Sequence, residues 1–107
     1  MSASRAVLNS EVDRERSRRI ERLRQLSRTE LLKLPAQKKE DCEVLDTRVT
    51  FTTYIESQTD GRLLVLVRSD RRRFFGLFSS GGTYGFWALP NGALADVTDV
   101  EVMDFFA

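Results

Sequence analysis

The chain contains no histidine and a single cysteine, Cys42. Each scarcity removes chemistry. Without histidine, Ser-His and Cys-His nucleophile activation cannot be assembled within the chain, and the commonest transition-metal ligand is missing. One cysteine excludes an intramolecular disulfide, so the fold rests on packing. Cys42 lies among Lys39, Glu40, Asp41 and Glu43. Acidic neighbours raise a thiol pKa, which predicts an unreactive thiol in a surface segment. Long apolar runs are also lacking. The longest, Leu63-Leu64-Val65-Leu66-Val67, falls far short of the roughly twenty residues of a bilayer span. Met1 to Ser10 has no apolar signal region, and Glu11, Asp13 and Glu15 argue against an organellar transit peptide. A cytoplasmic protein without a membrane partner is expected.

What is present divides near Pro35. Residues 1–39 hold eleven Lys/Arg against five Asp/Glu, and residues 40–107 hold six against eleven. The net charges are +6 and −5, so the overall +1 conceals a dipolar molecule. Such a field steers partners but says little about fold. At 107 residues, 41% hydrophobic and 31% charged, the chain predicts one globular domain with one core, spanning 1–107.

The basic half reads as helical. Ser10 and Ser27 stand where N-caps belong, and Ser27-Arg28-Thr29-Glu30 forms a capping box that opens a helix ending before Pro35. Glu11 to Leu26 offers only Val12, Ile20, Leu23 and Leu26 as apolar residues. Residues 20–34 are therefore expected to be helical and docked, and 1–19 to project or fray. Glu15–Arg19, Glu11–Arg14, Asp13–Arg16 and Glu21–Arg24 have ion-pair spacing on a helix. This leaves Arg5, Arg18, Arg22 and Arg28 free for phosphate or carboxylate partners. The near-heptad stripe Ile20, Leu23, Leu31 and Leu34 would permit a homodimer.

The remaining chain reads as an antiparallel meander over 43–95. Thr47 to Ile55 alternates Thr47, Val49, Phe51, Thr53 and Ile55 with more polar residues, as a half-buried strand does. Asp60-Gly61 marks a hairpin turn. Leu63 to Val67 is apolar at both parities and should be covered on both faces. Further turns are expected at Ser69 to Arg73, Ser79 to Gly82 and Pro90 to Gly92. These set strands at Phe74 to Phe78 and at Thr83 to Leu89. Gly76 and Gly85 suggest bulges or close backbone approach. Thr98-Asp99-Val100-Glu101 is a second capping box and predicts a short helix over 98–106, with an edge strand as the alternative. The expected fold class is α+β: an N-terminal helical segment packed on a four- or five-stranded antiparallel β-meander, with a short C-terminal helix.

Motifs narrow the function mostly by exclusion. Phe86-Trp87-Ala88-Leu89-Pro90-Asn91-Gly92 resembles the approach to the catalytic helix of Nudix hydrolases. Ala93-Leu94-Ala95-Asp96-Val97-Thr98 then follows in place of the metal-binding R-E-x-x-E-E helix, which excludes that activity. Gly81-Gly82-Thr83-Tyr84-Gly85 lacks the lysine of a phosphate loop. Ser79 and Ser80 lack a nucleophile frame. The tail acids Asp96, Asp99, Glu101 and Asp104 lack a calcium-loop pattern. No cofactor or metal is expected.

Two surfaces remain. Tyr54, Trp87, Asp96, Asp99, Glu101, Asp104 and Phe105 would form an acidic, aromatic-rich face suited to a protein partner, as in an adaptor, inhibitor or immunity-type protein. Alternatively, Arg18, Arg22, Arg71, Arg72 and Arg73, near Phe74, Phe75 and Phe78, would bind nucleic acid. A non-enzymatic protein-binding module is the primary expectation. A carboxylate enzyme using Asp96 and Asp99 ranks below both.

Overall fold

A computed structural model describes residues 5–72 and 78–107, with the side chains of 72 and 78–81 left aside. Helix α1 (Arg5–Arg24) and the short α2 (Arg28–Leu32) precede five strands. These are β1 (Gln37–Val44), β2 (Thr47–Ser57), β3 (Leu63–Arg72), β4 (Phe78–Ala88) and β5 (Leu94–Asp96), and helix α3 (Asp99–Phe105) follows them. The strands lie in chain order in one sheet, and every neighbouring pair is antiparallel. The expected α+β class is observed.

Strand pleating sorts the core into two layers. Val49, Phe51 and Ile55 of β2 and Leu63, Val65 and Val67 of β3 face α1 and α2, where Val12 and Leu31 are buried against them. Leu64, Leu66 and Trp87 face the other way and meet Val102 and Phe105 of α3. The run Leu63 to Val67 is thus covered on both faces, no residue of it being more than 4% exposed.

Helix α1 docks by an unusual means. Apart from Val12 its core contacts come from the partly buried Leu8, Ile20 and Leu23, and the sheet-facing arginines lie over aromatic rings. The guanidinium carbon of Arg16 is 4.4 Å from the Tyr84 centroid, that of Arg19 is 4.1 Å from Phe51, and that of Arg24 is 5.3 Å from Phe86. Arg16 is only 5% exposed and donates to Ser69 Oγ at 2.9 Å and to Asp13 at 2.5 Å. Long apolar stems with cationic heads thereby do the work of leucines. This corrects the expectation that 1–19 project: from Val12 onward the helix is seated. Ser10 is inside α1 rather than capping it.

Three further expectations change. The sheet begins at Gln37, because the charged run Gln37–Val44 forms edge strand β1. Charge is a recurrent property of sheet edges, where it discourages pairing with other chains. Cys42 therefore sits in a strand, half-buried toward α1. Second, Ser69 to Arg72 does not turn. It continues β3, paired with Phe78 to Gly82 across a bulge at Ser69/Asp70, so β3 and β4 form one long hairpin. The polar residues are accommodated in the ladder because Ser69 bonds Arg16 and Asp70 accepts from Arg68 Nε at 3.1 Å. The strand expected at Phe74 to Phe78 falls mainly outside the described residues, as does Gly76. Third, the stripe Ile20, Leu23, Leu31 and Leu34 is largely consumed within the chain. Leu31 is 1% exposed, and Ile20 and Leu23 pack on the core, while Leu34 is 36% exposed, so only part of the stripe is left to face outward.

Two close approaches shape the sheet. A Cβ on Gly85 would lie 1.9 Å from the Val65 carbonyl oxygen, so only glycine fits there. The β1–β2 turn places both Leu45 (φ 48°) and Asp46 (φ 65°) in the left-handed region. A two-residue hairpin of this hand matches strand twist but favours Asn-Gly over a leucine.

Candidate functional site: the α3 face

Helix α3 forms because Thr98 and Glu101 cap it reciprocally. Thr98 Oγ1 accepts from the Glu101 amide at 3.2 Å, and Glu101 Oε1 accepts from the Thr98 amide at 2.9 Å. Its inward face is Val102 and Phe105, seated on Leu64, Leu66 and Trp87. Tyr54 and Phe105 meet edge to face at 5.4 Å between centroids, Tyr54 and Phe106 at 5.3 Å, and Phe105 and Phe106 at 4.9 Å. Such pairs contribute about 0.5–1.5 kcal/mol beyond area burial.

The outward face is the notable part. Val100 is 66% exposed, Met103 72% and Phe106 39%. Val100 and Met103, three residues apart, share the outward side of the helix, whereas Phe106, just past its end, is held by Tyr54, Phe105 and Arg68, whose guanidinium carbon is 5.3 Å from its ring. Asp99 and Asp104 flank the exposed pair.

Beside α3 an open cavity of 370 Å³ is lined by Glu56, Gln58, Leu64, Trp87, Glu101, Asp104 and Phe105. Glu101 is the acid of this cavity that hydrogen bonds hold in place, from the Thr98 amide and the Trp87 indole. The Thr98 backbone N–H holds its carboxyl below the usual carboxylate range, desolvation opposing this, with help from the Thr98 hydroxyl and the Trp87 indole. Trp87 Nε1 donates to Glu101 Oε2 at 2.9 Å. On its other side Trp87 carries Arg62, whose guanidinium carbon is 4.3 Å from the ring centroid. A negative, aromatic-walled concavity results.

The sequence-derived residues divide unevenly. Trp87, Glu101, Asp104 and Phe105 line the cavity, and Tyr54 joins through Phe105. Asp99 lies on the same helix. Asp96 does not belong: it pairs with Phe86, on the opposite face of the sheet, and accepts from Arg24 at 3.3 Å. Glu56 and Gln58 were missed, since nothing local distinguishes the end of β2; pairing with Leu64 brings Glu56 there, and Gln58 follows in the turn that bonds Arg62.

The arginine surface is described only in part. Arg18 is bound by Glu15 at 2.8 Å and is not free. Arg22 is exposed on α1. Arg71 lies on β3 opposite Val49, hence on the α1 side of the sheet. The Arg72 side chain and Arg73 lie outside the described residues. Arg24 pairs with Asp96, not Glu21.

Cys42 departs from the sequence argument in its cause. Burial is the main influence raising the thiol pKa; Arg19 opposes it, its Nη2 3.7 Å from Sγ, while Glu40 and Glu15 add to the rise. Arg19 in turn is pulled down by burial, but hydrogen bonds to Glu40 and Glu15 outweigh this and raise it.

Among the described residues no cluster of three or more His, Cys, Asp and Glu could hold a metal ion, and no helix is long and apolar enough to cross a membrane. No family model, curated protein or solved structure matches the chain.

Proposed function

We propose that this protein is a non-enzymatic protein-binding module, an adaptor, inhibitor or immunity-type protein, with the α3 face as its docking surface for a basic partner. The carrying observation is the exposed pair Val100 and Met103, bordered by Asp99, Asp104 and the acidic cavity of Glu56 and Glu101. An apolar centre with a charged rim is the usual anatomy of a protein interface. Covering an exposed valine or methionine completely is worth about 1.5–3 kcal/mol each, so a short helix can anchor a partner. The surrounding carboxylates supply steering and reject acidic competitors. The lack of histidine and of any nucleophile frame in the sequence supports a recognition role over chemistry.

The test is capture from nuclease-treated lysate by the intact chain and by Val100→Asp/Met103→Asp. Both positions point to solvent, so the variant should fold. A basic protein retained by the former and lost by the latter is the expected result. Equal retention by both would refute the α3 assignment. Recovery of nucleic acid from untreated lysate, with no protein after nuclease, would favour the arginine surface.

A further inference from the structure

A second concavity lies on the opposite face of the sheet, where α1, the Leu34-Pro35 corner and β1 meet. Leu23, Leu26 and Leu34 form its apolar lining, and Arg22 and Lys38 stand on its rim. The neighbouring Arg19 is engaged by Glu15 and Glu40. The side chains of Arg22 and Lys38 make no ion pair or hydrogen bond among the described residues. At 230 Å³ the groove is smaller than the roughly 300–1,000 Å³ of small-molecule sites, and suits one or two inserted side chains.

We infer that this groove receives α3 of a second copy of the chain. The inference rests on the reading of α3 as a docking face, and adds that the protein's own groove competes with the partner for it. Complementarity carries it. The apolar pair Val100 and Met103, with two flanking aspartates, faces outward on one side of the sheet, and an apolar groove with two unpaired cations opens on the other. The split into a +6 and a −5 half has the same polarity. Knob and groove are different surfaces, so the contact is heterologous: copies add head to tail, giving a ring or an open chain. This differs from a symmetric seam along Ile20, Leu23, Leu31 and Leu34: Leu23 and Leu34 of that stripe reach the groove, while Leu31 is buried and Ile20 packs on the core.

Sedimentation velocity over a range of protein concentration, at low and high salt, reads the association on the full chain. Two charge-reversed variants are compared, Asp99→Lys/Asp104→Lys and Arg22→Glu/Lys38→Glu, all four positions being exposed. The wild type should associate with rising concentration and dissociate with salt. Each variant alone should associate at least tenfold more weakly. An equimolar mixture should reassemble, because the reversed knob fits the reversed groove. A wild type that stays monomeric, association unchanged in both variants, or a mixture that fails to reassemble would overturn the inference. Partner capture separates the two ideas: the Arg22→Glu/Lys38→Glu variant should still retain the basic partner. Retention without self-association in the wild type would sink only the present inference. Loss of capture on mutating α3 with self-association intact would sink the same inference and leave the partner site standing.

Discussion

Replacing Arg16 by methionine tests whether the arginines of α1 serve the architecture. Methionine keeps much of the apolar stem but removes the guanidinium. Ser69, which is 0% exposed, then loses its donor at 2.9 Å. An unpaired buried hydroxyl costs about 1–3 kcal/mol. The stack over Tyr84 adds about 0.5–1 kcal/mol, the lower range applying because that ring is 54% exposed. The link to Asp13, whose side chain is 60% exposed, is screened and adds under about 1 kcal/mol. Together these come to about 1.5–5 kcal/mol, a fall in Tm of roughly 6–25 °C for a domain of this length. Arg18→Met is the control, since Arg18 is 58% exposed and bound, among the described residues, only to Glu15; it should cost about 0.5 kcal/mol or less. Urea denaturation followed by circular dichroism measures both, with m unchanged. Arg16→Met and Arg18→Met differing by less than about 0.5 kcal/mol would refute the reasoning, because context effects alone reach that size.

Three further outcomes are expected. Changing Leu45-Asp46 to Asn-Gly should stabilise the protein by about 1 kcal/mol, because the left-handed turn no longer strains a leucine that is 44% exposed and contributes little packing; an unchanged or lower Tm would contradict this. Glu101 has a folded pKa below its unfolded one, so its contribution is complete above the ordinary carboxylate range and fades as pH falls through the depressed value. Trp87 fluorescence should report release of α3 over that acidic window, and emission constant throughout would argue against the coupling. Cys42, half-buried with its thiol pKa pushed up chiefly by burial, should be alkylated more slowly at neutral pH in the folded chain than after unfolding, and equal rates would contradict its placement.

The sequence made some elements legible because local physics fixed them. Alternation in Thr47 to Ile55, the doubly apolar Leu63 to Val67 and the two capping boxes each specified an element without help from distant residues. Edge strand β1 was hidden because Lys38, Lys39, Glu40 and Asp41 show no apolar alternation, an edge needing little burial. The docking of α1 was hidden for a different reason. Hydropathy scores Arg16, Arg19 and Arg24 as solvent-facing, and only the tertiary arrangement supplies Tyr84, Phe51 and Phe86 beneath them. The same limit applies to the site. Composition marked α3 as acidic and aromatic, but its rotational phase, with Val102 and Phe105 inward and Val100 and Met103 outward, was set by contacts with Leu64 and Trp87. Asp96 lies apart from the other tail acids because the pleat of β5 turns it to the α1 face, beside Phe86 and Arg24.

The account turns on α3, rather than the arginines of α1, being the working surface. Site-specific photo-crosslinking addresses this directly, with a photoreactive residue at Met103 in one sample and at Arg18 in another. The account predicts a basic protein crosslinked at position 103 and nothing specific at position 18. Nucleic acid crosslinked at position 18, with no adduct at position 103, would contradict it.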